Sequence, residues 1–138
     1  MASRRKGRIL AFQALYAWDI SGSLPEGSLS ASTLTEEALP DFSRLLIQGT
    51  MENIQAIDSM IKKHLENWDF SRLNKVDLAI IRMSTYALMY QAETAPSIVI
   101  NEAISISRDY GTDDSYRFVN GVLDAIRKTI LSDGSKND

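Results

Sequence analysis

Residues 71–90, SRLNKVDLAIIRMSTYALMY, decide the fold class. Leu73, Val76, Ile80, Met83, Ala87 and Tyr90 recur at intervals of three and four, the seam of a bundle helix and not the alternation of a strand. Leu78, Ile81 and Leu88 widen that seam beyond a single stripe. So much apolar surface on one helix predicts packing on two sides and a central position.

Working outward, Pro40 and Asp41 mark the start of a preceding helix, because proline suits a first turn and an acid there complements the helix dipole. It is expected to run to about Asn67 and to bury Phe42, Leu45, Leu46, Gly49, Ile54, Ile57, Ile61 and Leu65. A first helix is predicted from about Arg4 to Ile20, with Ile9, Phe12, Tyr16 and Ile20 on its inner face. Between the two, Ser21 to Thr35 (SGSLPEGSLSASTLT) has the composition of a loop. Downstream, Pro96 breaks the pattern and a helix is expected over Ser97 to Tyr110 through Ile100, Ala103, Ile104 and Ser107, although Ile98-Val99-Ile100 alone also reads as a short strand. Gly111 stands where a left-handed cap is commonly needed. Thr112, Asp113, Asp114 and Ser115 offer capping oxygens for a last helix that buries Phe118, Val119, Val122, Leu123, Ile126 and Ile130. Gly121 inside that helix costs about 1 kcal/mol relative to alanine, which predicts a close crossing by another helix.

The reading is all-α: two packed small helical bundles, residues 1–67 with the loop at 21–35 and residues 68–131, followed by a polar, disordered tail at 132–138. A chain of 138 residues, 44% hydrophobic and 24% charged, can bury a core of this kind. With no cysteine, disulfides, thiolate metal sites and cysteine nucleophiles are excluded. No apolar run reaches the roughly 18 to 20 residues of a membrane span, so the expected location is cytoplasmic, away from membranes.

Chemistry beyond binding finds little support. None of the seven glycines forms a nucleotide-binding loop. The one histidine, His64, has no second imidazole with which to share a metal and is given no role. Glu36-Glu37 and Asp113-Asp114 resemble paired carboxylates but fall at expected helix starts, where acids favour the dipole. The net charge of −3 is unevenly spread: Arg4, Arg5, Lys6 and Arg8 carry +4 and the remainder −7. On a helical wheel these cations continue the face that the core uses one turn later, so the first turns either project past the body or stay frayed until an anion orders them. Guanidinium groups suit phosphates, and Tyr16, Trp18, Tyr116 and Phe118 are candidates for stacking on single-stranded bases. Composition favours the core for Tyr16 and Phe118, and periodicity does not choose between core and stacking.

Several separated motifs resemble the bacterial NusB family. Arg4-Arg5-Lys6-x-Arg8 with Ala11-x-Gln13-Ala14-Leu15-Tyr16 is similar to that family's opening, and Val76-Asp77-x-Ala79-Ile80-Ile81-Arg82 leading to Tyr86-x-Leu88 to its central helix. Ile100-Asn101-Glu102-Ala103-Ile104, Tyr110-Gly111 and Ser115-x-x-Phe118-Val119-Asn120-Gly121-Val122-Leu123-Asp124 are similar to its carboxy-terminal signature.

What the resemblance implies is a non-enzymatic transcription antitermination factor without cofactor or metal. Its partners would be single-stranded boxA RNA of nascent ribosomal transcripts, the small-subunit ribosomal protein NusE and the RNA polymerase antitermination complex, with a homodimer also open. The implied RNA-binding residues are Arg4, Arg5, Lys6, Arg8, Gln13, Asp114, Ser115 and Phe118. The implied partner-protein residues are Tyr16, Asp77 and Arg82. Lys6 stands where an arginine is frequent, which keeps the charge but loses bidentate contact. Asp113 and Asp114 beside an RNA site are read as caps. A helical adaptor without sequence-specific RNA binding is the alternative, and methyl transfer to RNA cytosine, known in enzymes with a NusB-like domain, lacks its cysteine here.

Overall fold

The computed structural model describes residues 3–25 and 40–136, residues 40 and 134–136 by backbone only. Most of the predicted 21–35 loop and all of Glu36-Glu37 lie outside the described residues. The described chain is helical: α1 Arg4–Ser21, α2 Pro40–Glu52, α3 Ile54–Lys62, a short 3-10 turn Phe70–Arg72, α4 Lys75–Tyr90, α5 Pro96–Tyr110 and α6 Ser115–Lys136. Among the described residues, no helix is long and apolar enough to cross a membrane.

The central helix is placed as its sequence predicts. Every residue of α4 from Asp77 to Ala87 is buried, and α4 touches each of the other five helices. α1, α2 and α3 cover one side and α5 and α6 the other, and one core of buried residues runs continuously from Ala11 to Ile126. α4 begins at Lys75, not at Ser71, because the Asn74 side chain accepts the amides of Val76 (2.9 Å) and Asp77 (3.2 Å). The preceding residues fold into the 3-10 turn, whose start Asp69 caps through the Ser71 amide.

The predicted helix 40–67 is divided at Asn53. Its side-chain nitrogen donates to the Gly49 carbonyl at 2.8 Å, a local bond that competes with the helical ladder. The apolar spacing continues across the break, so Ile57, Ile61 and Leu65 are still buried. Four residues assigned to the core lie at its edge: Tyr16 (38% exposed), Ile20 (59%), Leu45 (46%) and Tyr90 (45%). On α1 the inner face runs through Phe12 and Leu15 together with Gly7, Ala11 and Ala14, the last three being small residues that let neighbouring helices come close. The segment 96–110 is helical throughout, with Pro96 at its first position.

Two glycines differ from expectation. Gly111 is extended (φ −94°, ψ −165°) and not left-handed; what selects glycine there is space, since a Cβ would overlap the Ser115 side chain and lie 2.7 Å from the Ser107 carbonyl. Gly121 meets no crossing helix, and a Cβ added to it would have nothing within 4 Å. The start of α6 is tied by Ser115, whose Oγ accepts the Thr112 amide at 2.8 Å; neither Asp113 nor Asp114 supplies the capping oxygen. α6 then continues to Lys136, over residues that the sequence reading assigns to the tail.

At Gly49 the close approach is real. A Cβ there would overlap the Tyr86 ring, so Gly49→Ala should destabilise the fold by about 1 to 3 kcal/mol or more through overpacking. Urea denaturation at fixed m-value checks this. Asp77 gives a second test, because burial raises its carboxyl above the usual range while a bond from Ser115 acts in the opposite direction. A folded-state value above the unfolded value of about 3.9 favours the protonated form, so the charged carboxylate costs stability at neutral pH and stops doing so below that value. Asp77→Asn should raise the thermal midpoint near pH 7, and the gain should shrink as pH falls toward about 4.

Candidate nucleic-acid interface

The basic residues at the start of the chain form an ordered, docked helix and not a frayed or projecting arm. Ser3 caps α1 by accepting the Lys6 amide at 3.1 Å, and the first turns lie between α5 and Phe42 of α2. Arg5 donates through Nη1 to Ser105 Oγ (2.7 Å) and Glu102 (3.3 Å), and through Nη2 to Asp109 (2.7 Å). Arg8 is only 8% exposed. Its guanidinium lies 5.2 Å from the Phe42 ring centroid and 3.8 Å from Glu102, and Arg4 lies over the same ring at 5.4 Å. An arginine is tolerated at the edge of the core because its stem packs on apolar surface, its plane meets an aromatic face and a carboxylate matches its charge. Burial, and to a lesser extent Arg4, lowers the Arg8 value while Glu102 raises it; arginine stays charged at neutral pH all the same.

What this end of α1 offers to an anion is therefore its outer flank. Arg4 and Lys6 are exposed, and the Arg5 side chain keeps 38% of its surface open while paired to α5 carboxylates.

Two turns further on, Gln13 and Tyr16 share a hollow of about 180 Å³ with Phe12, Val76 and Tyr110. The Phe12 and Tyr110 rings meet edge to face, 5.3 Å apart. The structure thus brings together a residue predicted to bind RNA and one predicted to bind the partner protein.

A second hollow, of about 170 Å³, opens on the other side of the α4 start and includes Asp77, Asp114, Ser115, Phe118 and Trp68. Asp77 Oδ1 is buried there without a hydrogen-bond partner. Ser115 is buried, 1% exposed, and Phe118 is partly buried against the core. Asp114 is exposed. Phe118 meets Trp68 edge to face at 5.1 Å, and that indole is 62% exposed. Trp68 is absent from the sequence-derived candidates because it falls outside every periodic segment, and so are the carboxylates Glu102 and Asp109.

Of the other aromatics, Trp18 packs against the core, and Tyr116 lies under Arg108 (4.6 Å) and Arg117 (5.4 Å). Arg82 and Asp77 present little surface to a partner, being 8% and 6% exposed. Arg82 donates bidentately to Asp58 of α3, Nε and Nη2 both at 2.9 Å, and pairs with Asp19 of α1 at 3.5 Å. His64 bonds the Met60 carbonyl and Thr129 Oγ1 at 2.8 and 2.7 Å, linking the end of α3 to α6. Among the described residues, no group of three or more His, Cys, Asp or Glu could hold a metal ion.

The NusB family profile matches residues 5–128. The transcription antitermination protein NusB of Treponema pallidum is 53% identical over 131 residues, covering 91% of this chain and 93% of that protein. The solved structure of T. maritima NusB superposes with a TM-score of 0.81 at 34% identity, over 93% of each chain. A crystal structure of the antitermination factors NusB and NusE in complex with dsRNA contains a chain that superposes with a TM-score of 0.80 at 27% identity, over 91% of this chain and 96% of that one. The docked basic helix and the hollows beside α4 therefore belong to a member of the NusB family of transcription antitermination proteins.

Proposed function

We propose that the chain acts by binding and not by catalysis, as an antitermination factor that holds single-stranded boxA RNA of a nascent ribosomal transcript in the cytoplasm. It does so beside a NusE-like small-subunit protein, and the pair joins RNA polymerase in an antitermination complex. One observation carries this reading: α1 carries exposed cations two turns before Gln13 and Tyr16, whose hollow reaches Val76 of α4, and the hollow of Asp114, Ser115 and Phe118 opens at the adjoining Asp77. The related structure of NusB and NusE with dsRNA supports RNA and a NusE-like protein as the classes of ligand.

Phosphates engage Arg4, Lys6 and the open part of Arg5. Arg8 contributes charge from beneath them. Tyr16 offers the partner protein an exposed aromatic surface, whereas Asp77 and Arg82 serve it indirectly by fixing α4 against α6, α1 and α3. A homodimer built on this face would compete with both ligands. The adaptor reading draws on the pairing of Arg5 and Arg8 within the fold, which reduces the charge left for RNA.

Salt dependence separates the two. Each phosphate neutralised on a single strand contributes about 0.7 to the slope of log affinity against log salt. The double variant Arg4→Gln, Lys6→Gln should lower that slope by about 1.4 with little change in thermal midpoint, whereas an unchanged slope would favour the adaptor. Asp109→Asn should act in the opposite direction. By releasing Arg5 from an exposed carboxylate, it should tighten RNA binding by about two- to fivefold, in line with the value of a surface ion pair.

A further inference from the structure

A groove of about 390 Å³ runs between α6 and the segment that follows α3, and the function proposed above does not use it. Trp68 and Phe118 line both this groove and the hollow at the start of α6, so the two are continuous across one aromatic pair. Lys63 and Arg117 stand at the groove with a single carboxylate, Glu66, to oppose them. Arg117 donates through Nε to the Tyr116 hydroxyl at 3.0 Å, which orients its guanidinium. His64 also lines the groove, with both ring nitrogens already bonded.

Gly121 forms part of the wall and is exposed, with nothing within 4 Å of an added Cβ. A glycine inside a helix weakens it, and here no helix crossing accounts for the residue. Its effect is to leave the groove open where any side chain would enter it. An exposed indole, two cations and a bare stretch of helix provide a stacking face, charge for a phosphate and room for a base.

The geometry points to a subsite for one unstacked nucleotide of single-stranded RNA, its base against Trp68 and its phosphate between Lys63 and Arg117. This rests on the RNA-binding reading and extends the RNA path past Phe118. A duplex keeps its bases stacked and would not enter.

The test is titration of the full chain with a fluorescein-labelled single-stranded boxA RNA and with the corresponding duplex, alone and beside a NusE-like partner. Trp68→Ala should weaken single-strand binding by roughly 5- to 150-fold, as expected for loss of one base stack, and should leave duplex binding unchanged. RNA should quench the tryptophan emission of the parent and much less that of the variant. Gly121→Leu, which closes the groove without touching the core, should weaken single-strand binding by about tenfold or more at an unchanged or raised thermal midpoint. Parent-like binding by both variants, with the Arg4 and Lys6 variant still impaired, would overturn the subsite while leaving the RNA-binding reading intact. Loss of partner capture by Trp68→Ala with RNA affinity intact would assign the groove to protein and also overturn it. Failure of the parent chain to bind any RNA, alone or with the partner, would remove both.

Discussion

The burial of α4 on every side from Asp77 to Ala87 constrains the rest of the molecule. A helix enclosed in this way must be covered by all the others, and the two charged side chains buried along it must find partners inside the protein. Arg82 does so by gathering Asp58 from α3 and Asp19 from α1, with the Phe70 ring 5.6 Å from its guanidinium. One charge thereby holds three segments against the centre. Asp77 is less completely served: Ser115 bonds it, Oδ1 has no partner, and its carboxyl is raised. Both hollows lie where α4 emerges from this enclosure, one beside Val76 and the other beside Asp77. Consecutive residues of one helix therefore place the two halves of the candidate surface side by side.

Much of this architecture was legible in the chain, and the parts that were not share a physical cause. The seam from Leu73 to Ala87 announced a central helix because its period is local and strongly apolar. The inner face of α1 was assigned too far toward Tyr16 and Ile20, since Gly7, Ala11 and Ala14 contribute closeness of approach, which a count of large apolar residues does not register. The break at Asn53 is invisible to periodicity because the apolar spacing runs straight through it. Rules for helix ends and helix interiors do not decide Gly111 and Gly121. What decides them is the Ser115 side chain in one case and an open groove in the other, and both are matters of tertiary structure.

The candidate site residues follow the same division. The basic cluster was plain in the sequence, and so was its place on the core side of the wheel. That an arginine could settle there depends on Phe42 and Glu102, which are distant in sequence and cannot be inferred from the cluster itself. Trp68 left no signal, as it belongs to no periodic segment and becomes notable only once its exposure and its contact with Phe118 are seen.

Carboxylates beside the proposed RNA-binding face look counterproductive until their positions are compared. Glu102 and Asp109 hold Arg5 at the surface, so under the proposed function a phosphate would replace an existing partner and would not have to order a free side chain. Exchange of this kind lowers absolute affinity, because the ion pair is lost as the phosphate contact forms, and it lowers the entropic cost of binding as well. Away from the first residues of α1 the chain carries a net charge of −7, which disfavours non-specific contact with nucleic acid over most of its surface. On the proposed function, acidic surroundings would favour RNA on the track past α4 over RNA that settles elsewhere, and selectivity would be gained where raw attraction is given up.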